Sequence, residues 1–472
     1  MKTNRDRNKR VVFVEPSNTS QNIFAKYMHI PLLGPVYLAT IAENAGYEVE
    51  VLNENILGRS VSKQELSSAD ILCITSLTST ITRGKELGRE YREARAESGL
   101  PSRSIVGGIH ASMLPEDVQV DFDQVAVGEG ENILLDLLDG KLTDKIVYGT
   151  PLEDLDSLPI PDYSLVKGWD RRTKRVWPVM TSRGCPFDCD FCSVTEMFGR
   201  GYRAQSPERV MAELENFRDR RGFVFIVDDN FAVNMKRSEK ILDLMLDKNF
   251  DRPWSTQLRT DATRNPELIN KMKRAGCYNV YIGFESVNPE SLERMKKSQS
   301  VADIRRAMTV FHGNDIKVHG MFILGNDPDT TDVFKMTSQF CRDINLDFAQ
   351  YSILTPLPGT AFYRRILDEG RLLHTKWEFF DGMHTVFKPK NMTPDQLQRG
   401  MIECFGDFYS YGNATIEALN TVLATGTALV RRIFTETRLP SFRAPAIKLA
   451  APGVVRKWIQ ENRSYLNYLK KT

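Results

Sequence analysis

The chain has 472 residues, more than one hydrophobic core usually organises, so two domains and an extension are expected. Its 41% apolar and 26% charged residues describe a globular protein, and 63 Lys or Arg against 61 Asp or Glu leave a net charge of +2, which excludes a global field for nucleic acid. No stretch approaches the roughly 18 consecutive apolar residues of a membrane helix, and Met1 to Arg10 is polar and basic without the apolar core of a secretion signal, so a cytoplasmic location is expected.

From Arg10 to about Gly140, short apolar runs alternate with amphipathic stretches: Val11 to Val14, a helix from Leu33 to Ala45, Glu48 to Leu52, Ile71 to Thr75, a charged helix from Thr82 to Ser98, Ile105-Val106 and Val125 to Val127. Apolar strands separated by helices predict a parallel sheet covered on both faces, a doubly wound, Rossmann-like α/β domain over 10–145. Ligands of such sheets sit outside the carboxyl ends of the strands. The loops there read Thr75-Ser76-Leu77-Thr78-Ser79, Gly107-Gly108-Ile109-His110 and Gly128-Glu129-Gly130-Glu131. Small residues in them either admit a ligand to the backbone or serve only to turn the chain.

Residues 146–175, with Pro159 and Pro161 among many charges, read as a linker. A second α/β series over 176–390 follows, with strands expected at Trp177 to Thr181, Phe223 to Val227, Ser255 to Leu258, Asn279 to Phe284, Lys317 to Leu324 and Phe348 to Leu354. Ser206-Pro207, Asn265-Pro266, Asn288-Pro289 and Thr393-Pro394 each place a capping side chain before proline at a helix start. Six strand and helix units predict a barrel or part of one, with its site at the carboxyl ends of the strands. From about Asn391 the pattern is helical to residue 472. Val430 to Thr472 holds ten Lys or Arg against two acidic residues, with Phe434, Phe442, Trp458 and Tyr465 interspersed; this is either a solvated helical face or a contact with an anionic membrane.

Seven cysteines, an odd number, fit a reducing compartment better than a disulfide framework. Three of them, Cys185, Cys189 and Cys192, are spaced C-x3-C-x2-C directly after an expected strand. Thiolates so close on one loop reach three corners of one cluster, and soft sulfur selects iron–sulfur, zinc or copper. Zinc requires a fourth ligand, but no cysteine or histidine follows until Cys277 and His312. Three ligands without a fourth leave one iron open for chemistry. Cys73, Cys277, Cys341 and Cys404 read as core residues.

The spacing, with the aromatic Phe191 before the last cysteine and six α/β units behind it, resembles the radical SAM superfamily, and the likeness extends over roughly residues 10 to 390. The resemblance implies a partial (β/α)6 barrel, a 4Fe-4S cluster on Cys185, Cys189 and Cys192, and S-adenosylmethionine (SAM) bound by Phe191, Asp228, Asp229, Arg259 and Glu285. Gly320 to Gly325 and Thr355 to Thr360 match later motifs. The first domain resembles the cobalamin-binding domain of one branch of that superfamily, which implies cobalamin against Ser76, Thr78, Gly107, Gly108, Gly128, Glu129 and Gly130. The D-x-H-x-x-G motif that supplies a cobalt ligand is absent, and neither His29 nor His110 sits in such a context.

The implied reaction cleaves SAM to a 5′-deoxyadenosyl radical and methylates an unactivated carbon of a hydrophobic substrate, a lipid or tetrapyrrole, with electrons from an external donor such as flavodoxin or ferredoxin. Alternatives are the oxidative ring closure of the anaerobic magnesium-protoporphyrin ester cyclase, and a sensor that binds cobalamin or the cluster without turnover. A nucleic-acid partner finds no basic stripe.

Overall fold

The computed structural model describes residues 9–20, 29–170, 175–410 and 443–472. The first sheet comprises β1 (Arg10–Glu15), β2 (Glu48–Asn53), β3 (Ile71–Thr75), β4 (Ser104–Gly107), β5 (Gln124–Val127) and β6 (Ile146–Tyr148), all parallel in the order β2-β1-β3-β4-β5-β6. The run Val11 to Val14 is apolar throughout because both faces are covered: Val11 and Phe13 join the core under helix α1 (Leu33–Asn44), Val12 and Val14 the core under α2 (Ile81–Glu97). The order in which strands are added reverses between β1 and β3, which opens a crevice at their carboxyl ends.

The segment expected to be a linker opens with β6, so the first sheet extends to Tyr148. Of its three residues only Val147 is buried, too little pattern to read as a strand.

Eight strands follow: β7 (Val176–Val179), the two-residue β8 (Ser182–Arg183) and β9 (Arg203–Ala204), β10 (Phe223–Ile226), β11 (Trp254–Leu258), β12 (Cys277–Glu285), β13 (Lys317–Leu324) and β14 (Phe348–Ile353). All but β8 and β9 form a parallel sheet in the sequential order β14-β13-β12-β11-β10-β7, with no pairing between its first and last strands, which is a partial barrel. Antiparallel β8 and β9 make a separate hairpin at its mouth.

Each cap before proline accepts a hydrogen bond from the first turn of its helix: Ser206 from Arg209 N, Asn265 from Leu268 N, Asn288 from Glu290 N and Thr393 from Gln396 N. Such a cap contributes about 1 kcal/mol. One apolar core runs from Val11 and Phe13 through Trp177 and Val224 to Phe405, so the two sheets are packed as one body.

The barrel is followed by α3 (Pro394–Phe408), α4 (Arg443–Glu461) and α5 (Arg463–Leu469). Trp458 and Tyr465 are 4% and 6% exposed. Tyr465 donates to Thr385 O at 2.8 Å, and Trp458 lies beside the ring of His384, so these two aromatics face the protein and not a membrane. Phe434 and Phe442 lie outside the described residues.

Candidate active site

Cys185, Cys189 and Cys192 lie half-buried and free of disulfides on the loop that the β8–β9 hairpin closes. Gly184 makes the turn into it at φ +84°, and a Cβ there would come within 2.2 Å of Gly201 O, so only glycine fits. The hairpin neck hangs on Asp228, whose carboxylate accepts from Thr181 N (2.6 Å), Thr181 Oγ1 (2.5 Å), Ser182 N (3.1 Å) and Ser182 Oγ (2.6 Å). Burial pushes the Asp228 carboxyl up against these bonds.

Other strand ends hold the loop itself. After β11, the Arg259 guanidinium lies 3.8 Å over the ring of Phe187 and donates to Lys297 O at 2.5 Å. At the end of β12 a bulge and a positive φ of 59° turn Glu285 so that it meets Lys297 Nζ at 2.6 Å. Beyond β14, Arg365 pairs with Asp190 at 3.0 Å and Phe362 N donates to Asp190 O at 2.9 Å. Phe191 packs half-buried against the barrel core.

Burial pushes the Cys192 thiol up to about 11 and raises those of Cys185 and Cys189; the charges of Lys297 and Arg259 oppose this at Cys189. A metal displaces these protons, since thiolates are the ligands. Among the described residues no three Cys, His, Asp or Glu converge on one ion position. An iron–sulfur cluster does not require that, because each thiolate takes a different iron. The donor set, three sulfurs on one loop with no fourth, fits such a cluster.

Between the two sheets lies a cavity of about 320 Å³. From the first domain, Phe13, Thr75, Gly107, Gly108, Gly128, Glu129 and Gly130 line it; from the barrel side, Ser182, Arg183, Val227 and Asp229. Gly34 also lines it, and a side chain there would meet nothing within 4 Å, so the wall is cut back to admit a group. Among the described residues no histidine lines the cavity. His110 is buried, 3.1 Å from Asp117 and edge-on to Trp377.

The expected site residues thus separate. Gly107, Gly108, Gly128, Gly130 and Asp229 face the cavity. Asp229 is open to it but walled by protein elsewhere; desolvation, with a contribution from Asp228, pushes its carboxyl up to about 6. Ser76 and Thr78 do not line the cavity: Ser76 sits behind Gly108, whose absent Cβ would lie 2.7 Å from Ser76 O. The Asp228 and Glu285 carboxylates are engaged as described, and that of Glu129 accepts from Arg183 (2.6 Å), Arg203 and Leu152 N (3.0 Å). Arg183, Arg203, Lys297 and Phe187 were not anticipated. Only Arg183 and Phe187 had a signal, their place beside the cysteines.

A parallel barrel with an open-valence cysteine loop at its mouth, facing a nucleotide-type sheet across one cavity, defines a two-cofactor enzyme. The radical SAM superfamily matches residues 179–340 and the B12 binding domain residues 26–138. The chain is 27% identical over 425 residues to bacteriochlorophyllide d C-12(1)-methyltransferase of Chlorobaculum tepidum, covering 87% of this chain and 89% of that protein. It is 25% identical over 432 residues to the anaerobic magnesium-protoporphyrin IX monomethyl ester cyclase of Rubrivivax gelatinosus, covering 83% and 75%. The fold is that of the radical SAM methyltransferase TsrM from Kitasatospora setae, solved with cobalamin and a [4Fe-4S] cluster (TM-score 0.66, 16% identity, 96% and 99% covered). The chain thus combines a radical SAM domain with a B12-binding domain, the pairing of a cobalamin-binding radical SAM enzyme. Its cofactors are a 4Fe-4S cluster, SAM and cobalamin.

Proposed function

We propose that this enzyme methylates an unactivated carbon of a hydrophobic substrate, a lipid or a tetrapyrrole. The observation that carries the reading is the shared cavity: Gly107, Gly128 and Gly130 on one wall, and Arg183 and Asp229 beside the cysteine loop on the other. When bound, SAM at a cluster on Cys185, Cys189 and Cys192 supplies a 5′-deoxyadenosyl radical, and cobalamin supplies the methyl group.

The chain's own residues bind, orient and shield. Asp228 fixes the neck of the cysteine loop, and Asp229, which lines the cavity and is ionised above about pH 6, would hold the amino group of SAM. Arg259, through Phe187, braces the loop from the barrel side, Lys297, held by Glu285, brings its charge near Cys189, and Phe191 backs the loop. Leu33, Leu38, Leu134 and Leu137 form an apolar wall that keeps water from a radical. Ser76 and Thr78 would support from behind the loops that hold cobalamin, on a wall where none of the described lining residues is a histidine. In this reading 10–145, with β6, serves cobalamin, 176–390 the radical chemistry, and α3 braces the barrel at β14.

A protein donor of the flavodoxin or ferredoxin kind supplies the electron in the cytoplasm. Among the described residues no helix is long and apolar enough to cross a membrane. Peripheral contact with an anionic membrane would use the exposed cations Lys457, Arg463, Lys470 and Lys471, not Trp458 or Tyr465.

The test supplies anaerobically reconstituted enzyme with SAM carrying a deuterated methyl group, together with detergent-dispersed tetrapyrroles and lipids. A cobalamin-dependent product bearing the label supports the proposal. A product that has gained a ring without label indicates the cyclase alternative, and binding of cofactors without SAM consumption a sensor.

A further inference from the structure

The two arginines at the neck of the cysteine loop reach across the cavity into the other domain. Arg183 and Arg203 are partners on one rung of the β8–β9 hairpin. Arg183 Nη1 donates to Glu129 Oε2 at 2.6 Å and its Nη2 to Glu131 Oε1 at 2.5 Å. Arg203 grips both oxygens of Glu129 and donates to Leu152 O at 2.7 Å. The four side chains are only 4 to 10% exposed, so their charges are compensated almost wholly by one another.

Both ends of this bridge lead directly into a cofactor site. Arg183 precedes Gly184 and Cys185, and Arg203 closes the far end of the same loop. Glu129 lies between Gly128 and Gly130, which line the cavity expected to hold cobalamin. A bidentate arginine fork tolerates little displacement of its carboxylate, so the bridge fixes the two loops relative to each other.

We infer that the Glu129–Arg183–Arg203 bridge couples the two cofactor sites, so that cluster assembly on the cysteine loop tightens the binding of cobalamin and cobalamin promotes assembly of the cluster. Glu129, Arg183 and Arg203 are positioning residues in this account: they act through the loops they join. The coupling is reciprocal by thermodynamic necessity. The inference rests on both cofactors occupying the sites proposed above.

The test measures the dissociation constant of hydroxocobalamin by absorbance and tryptophan quenching, for cluster-loaded protein and for the same protein stripped by a chelator. Wild type is expected to bind about tenfold more tightly when the cluster is present. In Glu129→Gln each form still binds, but the two constants fall within about twofold of each other, whereas Arg203→Lys, which keeps the charge but not the fork, retains part of the wild-type difference. General damage would weaken both forms and leave their ratio intact.

Hydrogen exchange on stripped wild-type protein provides a second readout that needs no variant. Hydroxocobalamin is expected to slow exchange over 184–202. Equal constants in wild type, full coupling in Glu129→Gln, or unchanged exchange over 184–202 each overturn the inference while leaving the cofactor reading in place. Failure of either form to bind hydroxocobalamin overturns both.

Discussion

Asp228 accepts two hydrogen bonds from Ser182, one from its main-chain N–H at 3.1 Å and one from its hydroxyl at 2.6 Å. With the matching pair from Thr181, this carboxylate is the anchor of the hairpin on which the cysteines hang. Asp228→Ala leaves four buried donors without an acceptor and is expected to destabilise the protein by about 3 kcal/mol and abolish cluster retention. Urea unfolding and iron content after reconstitution measure the two effects.

Asp229, one residue on, points to the cavity and behaves differently. Its carboxyl is raised from 3.8 to about 6, so the folded state holds the proton more tightly than the unfolded one, and stability falls as pH rises from about 4 to 6. Asp229→Asn removes that penalty. The cofactor-free variant is expected to be more stable than wild type at pH 7 by about 1 kcal/mol, after allowance for screening on the open side, with the difference vanishing below pH 4. SAM affinity should nevertheless drop, and in wild type it should weaken as pH falls through 6. Thermal midpoints and SAM titrations across pH 4 to 8 check both.

Gly184→Ala forces a side chain into a left-handed turn and against Gly201 O. The strain, on the order of 1 to 3 kcal/mol, is local to the neck. The variant is expected to keep its far-UV circular dichroism but to bind less iron and sulfide on reconstitution.

His384 forms a pin in the segment that follows β14. Its Nδ1 meets Asp381 at 2.9 Å, its Nε2 meets Asn462 Oδ1 at 2.8 Å, and Ser20 donates to the other Asp381 oxygen at 2.8 Å. Phe379, Trp458 and Tyr465 enclose the ring. Burial disfavours the imidazolium, but Asp381 and Asn462 outweigh it and raise the group above 6.5. Its contribution is therefore complete below pH 6.5 and is lost as pH rises through the raised value. Wild type should lose on the order of 1 kcal/mol over that window relative to His384→Gln, read from thermal midpoints.

The strands were legible because a parallel sheet buried on both faces leaves continuous apolar runs such as Val11 to Val14, and the helix starts because a cap before proline has few other uses. The hairpin of β8 and β9 was not, since two residues per strand carry no periodicity. Nor could the sequence separate Asp228 from Asp229: adjacent side chains at a strand end point opposite ways, one into the neck and one into the cavity. The ion pairs of Glu129 and Glu285 were not legible either, because their partners Arg203 and Lys297 lie far away or outside the motifs. Trp458 and Tyr465 suggested a membrane face because an aromatic stripe on a helix has the same pattern whether it packs inward or outward.

The most direct test of the cysteine-loop chemistry is the formation of 5′-deoxyadenosine by anaerobically reconstituted, reduced protein given SAM, measured by mass spectrometry for wild type and Cys189→Ala. Wild type is expected to form it and the variant to form none. No 5′-deoxyadenosine from wild type loaded with iron and sulfide, or equal amounts from both proteins, would contradict the account.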